Sequence, residues 1–272
     1  MTTNMTGGGN LTKLGQTLNN LKAAGRKGLI VYITAGCPDY PASLAAVLAA
    51  AAAGADVVEV GMPFSDPLAD GPVIQKAAAF ALKAGATTAK TLDMIRQIGR
   101  QSAVPLAVMT YTNTVLQYDA AKFARDFAAA GACGLIVPDM PFEESGMLAP
   151  ACAANGLDLI QFIAPTSTAS RIAAICQKAS GFLYLISNTG VTGVRDISYS
   201  SLEGTISAVR QHTAVPVAIG FGIGSPEAAR AAARHADAVI VGSAVVERLM
   251  SGGAGAVGEF VAALRRALDE RG

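Results

Sequence analysis

Short aliphatic runs recur along the chain and alternate with stretches whose apolar residues return at helical spacing. The runs are LIVYITA from Leu29, VVEVG from Val57, PLAVMTY from Pro105, GLIVPD from Gly134, LDLIQFIA from Leu157, FLYLIS from Phe182, VPVAIGF from Val215 and AVIVG from Ala238. They are apolar on both faces, as parallel strands covered on both sides by helices should be. Successive runs start roughly 23 to 33 residues apart, with one gap of about 48, and a strand, a helix and two loops need about that much chain.

The segments between the runs read as surface helices. PASLAAVLAAAAAGA carries a proline suited to a first turn and ends at Gly54; AAKFARDFAAAGA sets Phe123 and Phe127 four apart before Gly131. In SPEAARAAARHA, Ser225 is a cap candidate, Pro226 the first helical residue and Glu227 part of the first turn. Before the first run, Leu11, Leu14, Leu18 and Leu21 share one helical face, and a helix there predicts a plug for a closed barrel. The fold class expected is α/β: a (β/α)8 TIM barrel with an extra amino-terminal helix and extra helices after strands 2 and 8. An open doubly wound sheet is the alternative that periodicity leaves open. The long gap holds GMPFSDPLADGP and two predicted helices, 73–84 and 88–98; extra chain after a strand commonly builds an active-site loop. No interior stretch reads as a linker, so residues 1–10 are expected to be a flexible tail and 11–272 a single barrel domain.

Composition narrows the class. The 272 residues are 51% hydrophobic and 15% charged, and 21 basic against 20 acidic side chains leave a net charge of +1. No basic surface announces a nucleic-acid partner. The longest run without a polar residue, Leu44 to Ala55, falls short of the ~20 residues that span a bilayer. MTTNMTGGGN lacks the basic-then-apolar layout of a signal peptide. Cys37, Cys133, Cys152 and Cys176 stand far apart, and His212 and His235 are the only histidines. Idle thiols in a reducing cytosol are expected, with neither a metal site nor a disulfide scaffold.

In such a barrel the reacting groups sit at the carboxyl ends of the strands. Glu59 lies near the end of a buried apolar run, where burial drives a carboxyl pKa toward neutrality, the tuning a general acid/base requires. A rim glutamate paired with a lysine or arginine is the other reading. Asp66 and Asp70 follow in a loop stiffened by Pro67, Gly71 and Pro72; either reads as a turn-closing residue or as a second carboxylate folded over the mouth. Glycine loops follow the last three runs: Gly190-Val191-Thr192-Gly193, Gly220-Phe221-Gly222-Ile223-Gly224-Ser225, and Gly242-Ser243 at the opening of a short helix. Glycine lets backbone N–H groups approach an oxyanion, and a helix start adds its dipole, so together these loops predict a phosphate site. Tyr32 and Tyr184 lie inside runs and read as core residues or as hydroxyls facing the mouth. Asn113 and Asp139 are loop-closing candidates, and Arg26 and Lys27 read as a solvated face.

The string from Glu59 to Pro72, EVGMPFSDPLADGP, closely resembles the signature of the tryptophan synthase alpha chain family. The likeness continues through YITAGCPD, TYTN, VPDMPFEES, Gly190-Val191-Thr192-Gly193 and GFGI, and covers the chain from about Leu11 to Glu270. The resemblance implies cleavage of indole-3-glycerol phosphate to indole and glyceraldehyde 3-phosphate, late in tryptophan biosynthesis, with no cofactor in this chain. It maps catalytic roles to Glu59, Asp70 and Tyr184, phosphate binding to Gly193, Gly222, Gly242 and Ser243, and an indole pocket to Tyr32, Met109, Ile136 and Phe221. At position 32 members of the family often carry phenylalanine. The resemblance further implies a beta-chain partner carrying pyridoxal phosphate in an alpha2beta2 heterotetramer, contacted around Asp66 and after strand 3. A stand-alone indole-3-glycerol-phosphate lyase and a catalytically silent regulatory subunit are the competing functions.

Overall fold

The computed structural model describes residues 12–186, 202–220 and 222–270. Eight parallel strands close on themselves in chain order, β1 to β8, with β8 hydrogen-bonded back to β1. They are β1 (Gly28–Thr34), β2 (Val57–Gly61), β3 (Leu106–Met109), β4 (Ala132–Ile136), β5 (Asp158–Ile163), β6 (Leu183–Ile186), β7 (Val217–Gly220) and β8 (Ala238–Val241). Each falls on an aliphatic run, and the closed barrel excludes the open sheet. Leu29, Val31 and Ile33 of β1 face the helical layer, whereas Ile30 joins the barrel interior, so both faces of the strand are dry.

The helices are α1 (Lys13–Ala23), α2 (Tyr40–Ala52), α3 (Pro72–Lys83), α4 (Thr88–Gln101), α5 (Thr112–Tyr118), α6 (Ala120–Ala130), α7 (Ala149–Ala154), α8 (Ala169–Lys178), α9 (Glu203–His212), α10 (Pro226–Ala233) and α11 (Ser243–Asp269). Their starts are chemically marked: Asp39 caps α2 by accepting the Ala42 N–H at 2.7 Å, and Ser225 caps α10 by accepting the Ala228 N–H at 3.2 Å. The two helices expected after β2 are α3 and α4. After β8, α11 is longer than the short helix expected, but Gly253, at φ 68°, kinks it into two legs.

The amino-terminal helix plugs the barrel. Leu14, Leu18 and Leu21 of α1 are buried against Ile30, Val57, Ala107, Ile160, Phe182 and Ala238 of the barrel interior. At about 2 kcal/mol per buried leucine, this contact closes the amino-terminal mouth and leaves the opposite end for chemistry. Among the described residues no helix is long and apolar enough to cross a membrane.

Candidate active site

Glu59 is held on β2 between Tyr32 of β1 and Ala107 of β3 in strand register. Its side chain is 1% exposed, and among the described residues Oε2 has no hydrogen-bond partner. Burial, with a smaller contribution from the Asp70 charge, pushes its pKa up to about 8. No lysine or arginine pairs with it among the described residues, so the rim ion-pair reading finds no support there.

The loop after β2 brings the second carboxylate. Its turn closes through Asp70 N–H donating to the Pro67 carbonyl at 3.0 Å, and Pro72 then starts α3. Asp66 is exposed and closes a local turn, its Oδ2 accepting from Ser65 Oγ at 2.5 Å and its carbonyl from the Leu68 N–H at 2.9 Å. Asp70 is only 6% exposed. Burial raises its pKa to about 6, a rise opposed by a hydrogen bond from Tyr111. Glu59 thus holds its proton to a higher pH than Asp70, and this separation is the pattern of an acid/base pair.

Tyr111, at the exit of β3, has no assigned role in the sequence reading. Its hydroxyl donates to Asp70 Oδ2 at 2.9 Å and accepts the Ala69 N–H at 3.2 Å. Its ring stacks on Phe64 of the same loop with centroids 4.9 Å apart. One tyrosine therefore clamps the loop at both ends and aims Asp70. The sequence signals are an aromatic residue at a strand exit and its place in the TYTN string.

Tyr184 stands buried on β6, stacked on Phe162 with centroids 4.8 Å apart. Burial, then the charges of Glu59 and Asp70, hold its phenol protonated and place the three in one electrostatic environment. Tyr32 shares it: burial, Asp70 and Glu59 all raise its pKa. Met109 and Ile136 end β3 and β4 within the barrel-interior cluster that contains Tyr184. Gly242 precedes the first turn of α11 and packs beside Tyr32, since a Cβ there would lie 3.6 Å from the Tyr32 Cβ. Ser243 opens the same turn, whose leading N–H groups lack helical acceptors. Gly222 has φ +76°, a conformation that favours glycine. Gly193 and Phe221 lie outside the described residues.

The remaining candidates are structural. Asp139 Oδ1 accepts from both the N–H and Oγ1 of Thr112 at 2.9 and 3.0 Å, fixing the start of α5, and Asn113 is exposed. Arg26 is exposed, as a solvated face requires, whereas Lys27 is half-buried and donates to the Ala236 carbonyl at 2.8 Å. The four cysteines are unpaired, three of them buried, and among the described residues no three His, Cys, Asp or Glu side chains cluster as metal ligands.

Comparison with known proteins decides the family. A family model described as tryptophan synthase alpha chain matches residues 18–265. The chain belongs to the tryptophan synthase alpha chain family. The alpha chain of Synechococcus elongatus is 45% identical over 262 residues, covering 96% of this chain and 98% of the relative. That of Geobacter sulfurreducens is 42% identical over 95% of this chain and 99% of its own. Among solved structures, tryptophan synthase of Mycobacterium tuberculosis superposes with a TM-score of 0.90 at 37% identity, covering 96% of this chain and 100% of that one. The alpha chain of Legionella pneumophila gives 0.88 at 33% identity, covering 96% and 99%. As a tryptophan synthase alpha chain the protein is a lyase that cleaves indole-3-glycerol phosphate.

Proposed function

We propose that Glu59 and Asp70 perform this cleavage as a general acid/base and a charge-stabilising pair. The bond between ring carbon 3 and the glycerol chain breaks only once that carbon is protonated, which puts positive charge on the ring nitrogen. Glu59, protonated at neutral pH, donates that proton, and ionised Asp70 accepts the ring N–H hydrogen bond and stabilises the charge. The Glu59 carboxylate then takes the proton of the chain hydroxyl next to the ring. The hydroxyl oxygen becomes the aldehyde carbonyl, and the electrons of the broken carbon–carbon bond restore the indole. Glu59 ends protonated, as it began. Tyr184 lines the same cavity. Tyr32, Met109, Ile136 and Phe221 form the indole pocket, and Gly193, Gly222, Gly242 and Ser243 hold the phosphate, whose binding energy positions the reacting bond. The observation that carries this reading is a buried carboxyl whose Oε2 has no partner among the described residues, close enough to a second buried carboxyl, that of Asp70, to feel its charge.

The connections that follow β2, β3 and β4 each expose a large apolar side chain: Leu68 (84%) in a loop, Leu116 (52%) on α5 and Met147 (46%) at the end of a short helical turn. Their common position on the catalytic rim supports a docking face for a beta chain, which would carry pyridoxal phosphate in an alpha2beta2 assembly of the cytoplasm and receive indole without loss to water. No cofactor is proposed for this chain itself. The test is indole formation from indole-3-glycerol phosphate with a beta chain titrated in. Activation by the added chain is expected; turnover indifferent to it would favour a stand-alone lyase.

A further inference from the structure

A third polar group lies within the electrostatic reach of Glu59 and Asp70, and the chemistry above does not use its hydroxyl. Tyr32 is the strand-register neighbour of Glu59, and its ring leans across onto Gly61, two residues further along β2. A Cβ on Gly61 would fall 2.0 Å from the Tyr32 hydroxyl oxygen and 2.4 Å from Cζ, so any side chain there expels the phenol. The same device recurs across the barrel, where a Cβ on Gly220 of β7 would fall 2.4 Å from the hydroxyl oxygen of Tyr184. The seat of Tyr32 is thus built by its neighbour strand.

The hydroxyl is also oriented. Thr34, buried on the same strand, donates from Oγ1 to the Tyr32 oxygen at 3.4 Å. A phenol that accepts in this way keeps its own proton for donation, and among the described residues no acceptor takes it. Burial and the two nearby carboxylates keep that proton in place. On its other flank Tyr32 meets Gly242, at the start of the helix assigned to the phosphate. The residue thus reaches from the Gly242 turn, beside its Cβ, to Gly61 of the strand that carries Glu59, where its hydroxyl lies, and the glycerol chain of the substrate must link the same two places. The ring N–H is a donor and suits Asp70; the chain hydroxyls offer acceptor oxygens and suit a protonated phenol.

We infer that the Tyr32 hydroxyl, seated on Gly61 and oriented by Thr34, donates a hydrogen bond to the chain hydroxyl oxygen next to the indole ring. It is a positioning and specificity residue for the cleavage. The bond strengthens as that oxygen surrenders its proton to Glu59, so its effect falls on turnover more than on KM. This inference rests on the assignment of Glu59 and Asp70 as the reacting pair.

Two measurements test it, both with saturating beta chain present. In steady-state kinetics, Tyr32→Phe, which removes one oxygen and leaves the ring on Gly61, is expected to lower kcat about tenfold while KM moves less than about threefold. Thr34→Val should lie between Tyr32→Phe and the parent. In equilibrium binding, Glu59→Gln protein should prefer indole-3-glycerol phosphate about two- to threefold over an analogue lacking the hydroxyl next to the ring, and Glu59→Gln/Tyr32→Phe should lose that preference. An unchanged preference, or kcat of Tyr32→Phe within about twofold of the parent, overturns the inference and leaves the acid/base pair intact. So does a Tyr32→Phe phenotype confined to the alkaline limb of the pH profile, which would assign the bond to Glu59. Retained turnover by Glu59→Gln would instead overturn the acid/base reading, while the Tyr32 comparison stays readable from kinetics.

Discussion

At the amino ends of the strands, Asp158 is buried and Asp56 and Asp237 are half-buried, and each meets several donors; at the carboxyl ends, Oε2 of the buried Glu59 meets none among the described residues. Asp56 accepts from the Leu29 N–H at 2.8 Å and from Arg265 at 3.0 Å, and Arg265 also grips Asp269 at 2.7 Å and the Lys27 carbonyl at 3.0 Å. Burial still raises the Asp56 pKa, with the Leu29 amide and Arg265 opposing the rise. Asp158 accepts from Thr12, tying the start of α1 to β5. For Asp237, burial is outweighed by Arg210, the Val217 amide and Lys22, which hold it below the ordinary range. The two ends share a strand core and the same cost of burying charge. One end offsets that cost with partners and gains a tie between elements; the other leaves it standing and gains a proton donor at neutral pH.

The largest contrast is expected from Glu59→Gln. It should lower indole formation by at least about 10³-fold, since both proton transfers are lost. It should also stabilise the fold. The folded-state pKa of Glu59 is raised from 4.5 to about 8, so the stability carried by its protonated form is complete below 4.5 and lost as pH rises through about 8. The variant cannot ionise, so its Tm advantage should grow across that window; a constant offset would break the contrast. Arg265→Ala is the opposite case. It strands Asp56 and should cost about 3 kcal/mol in unfolding free energy, with kcat/KM per folded molecule unchanged.

Tyr111→Phe sharpens the comparison within the site. The lost hydrogen bond opposes the burial-driven rise of Asp70, so the Asp70 pKa should climb above about 6 and the acid limb of the pH–rate profile should move upward. A roughly tenfold fall in kcat is expected, because Asp70 also loses its aim. Smallest of all, Thr12→Val should cost about 1 kcal/mol of stability and leave the pH–rate profile where it is.

How much of this was legible in sequence follows from the range of the interactions. The barrel was readable because two-faced apolar strands and capped helices are local patterns. Even so, β4 starts at Ala132 where the run suggests Gly134, and α4 continues to Gln101 beyond the expected end at residue 98. The plug was readable from Leu14, Leu18 and Leu21 for the same reason. Glu59 was visible because a carboxylate in an apolar strand is an anomaly on its own. Asp70 was visible as a carboxylate but not as a buried one: its loop is rich in polar and turn-forming residues, and its burial depends on Phe64 and on Tyr111, which sequence separates from it by a strand and two helices. The seat of Tyr32 on Gly61 is equally non-local, since it requires the β1–β2 register.

The central claim is that Glu59 is protonated at neutral pH because no partner among the described residues compensates the burial of its Oε2. It is tested most directly by titrating the glutamate carboxyl carbons by ¹³C NMR, with Glu59→Gln identifying the resonance. A midpoint near 8 is expected; one near the ordinary 4.5 would contradict the account.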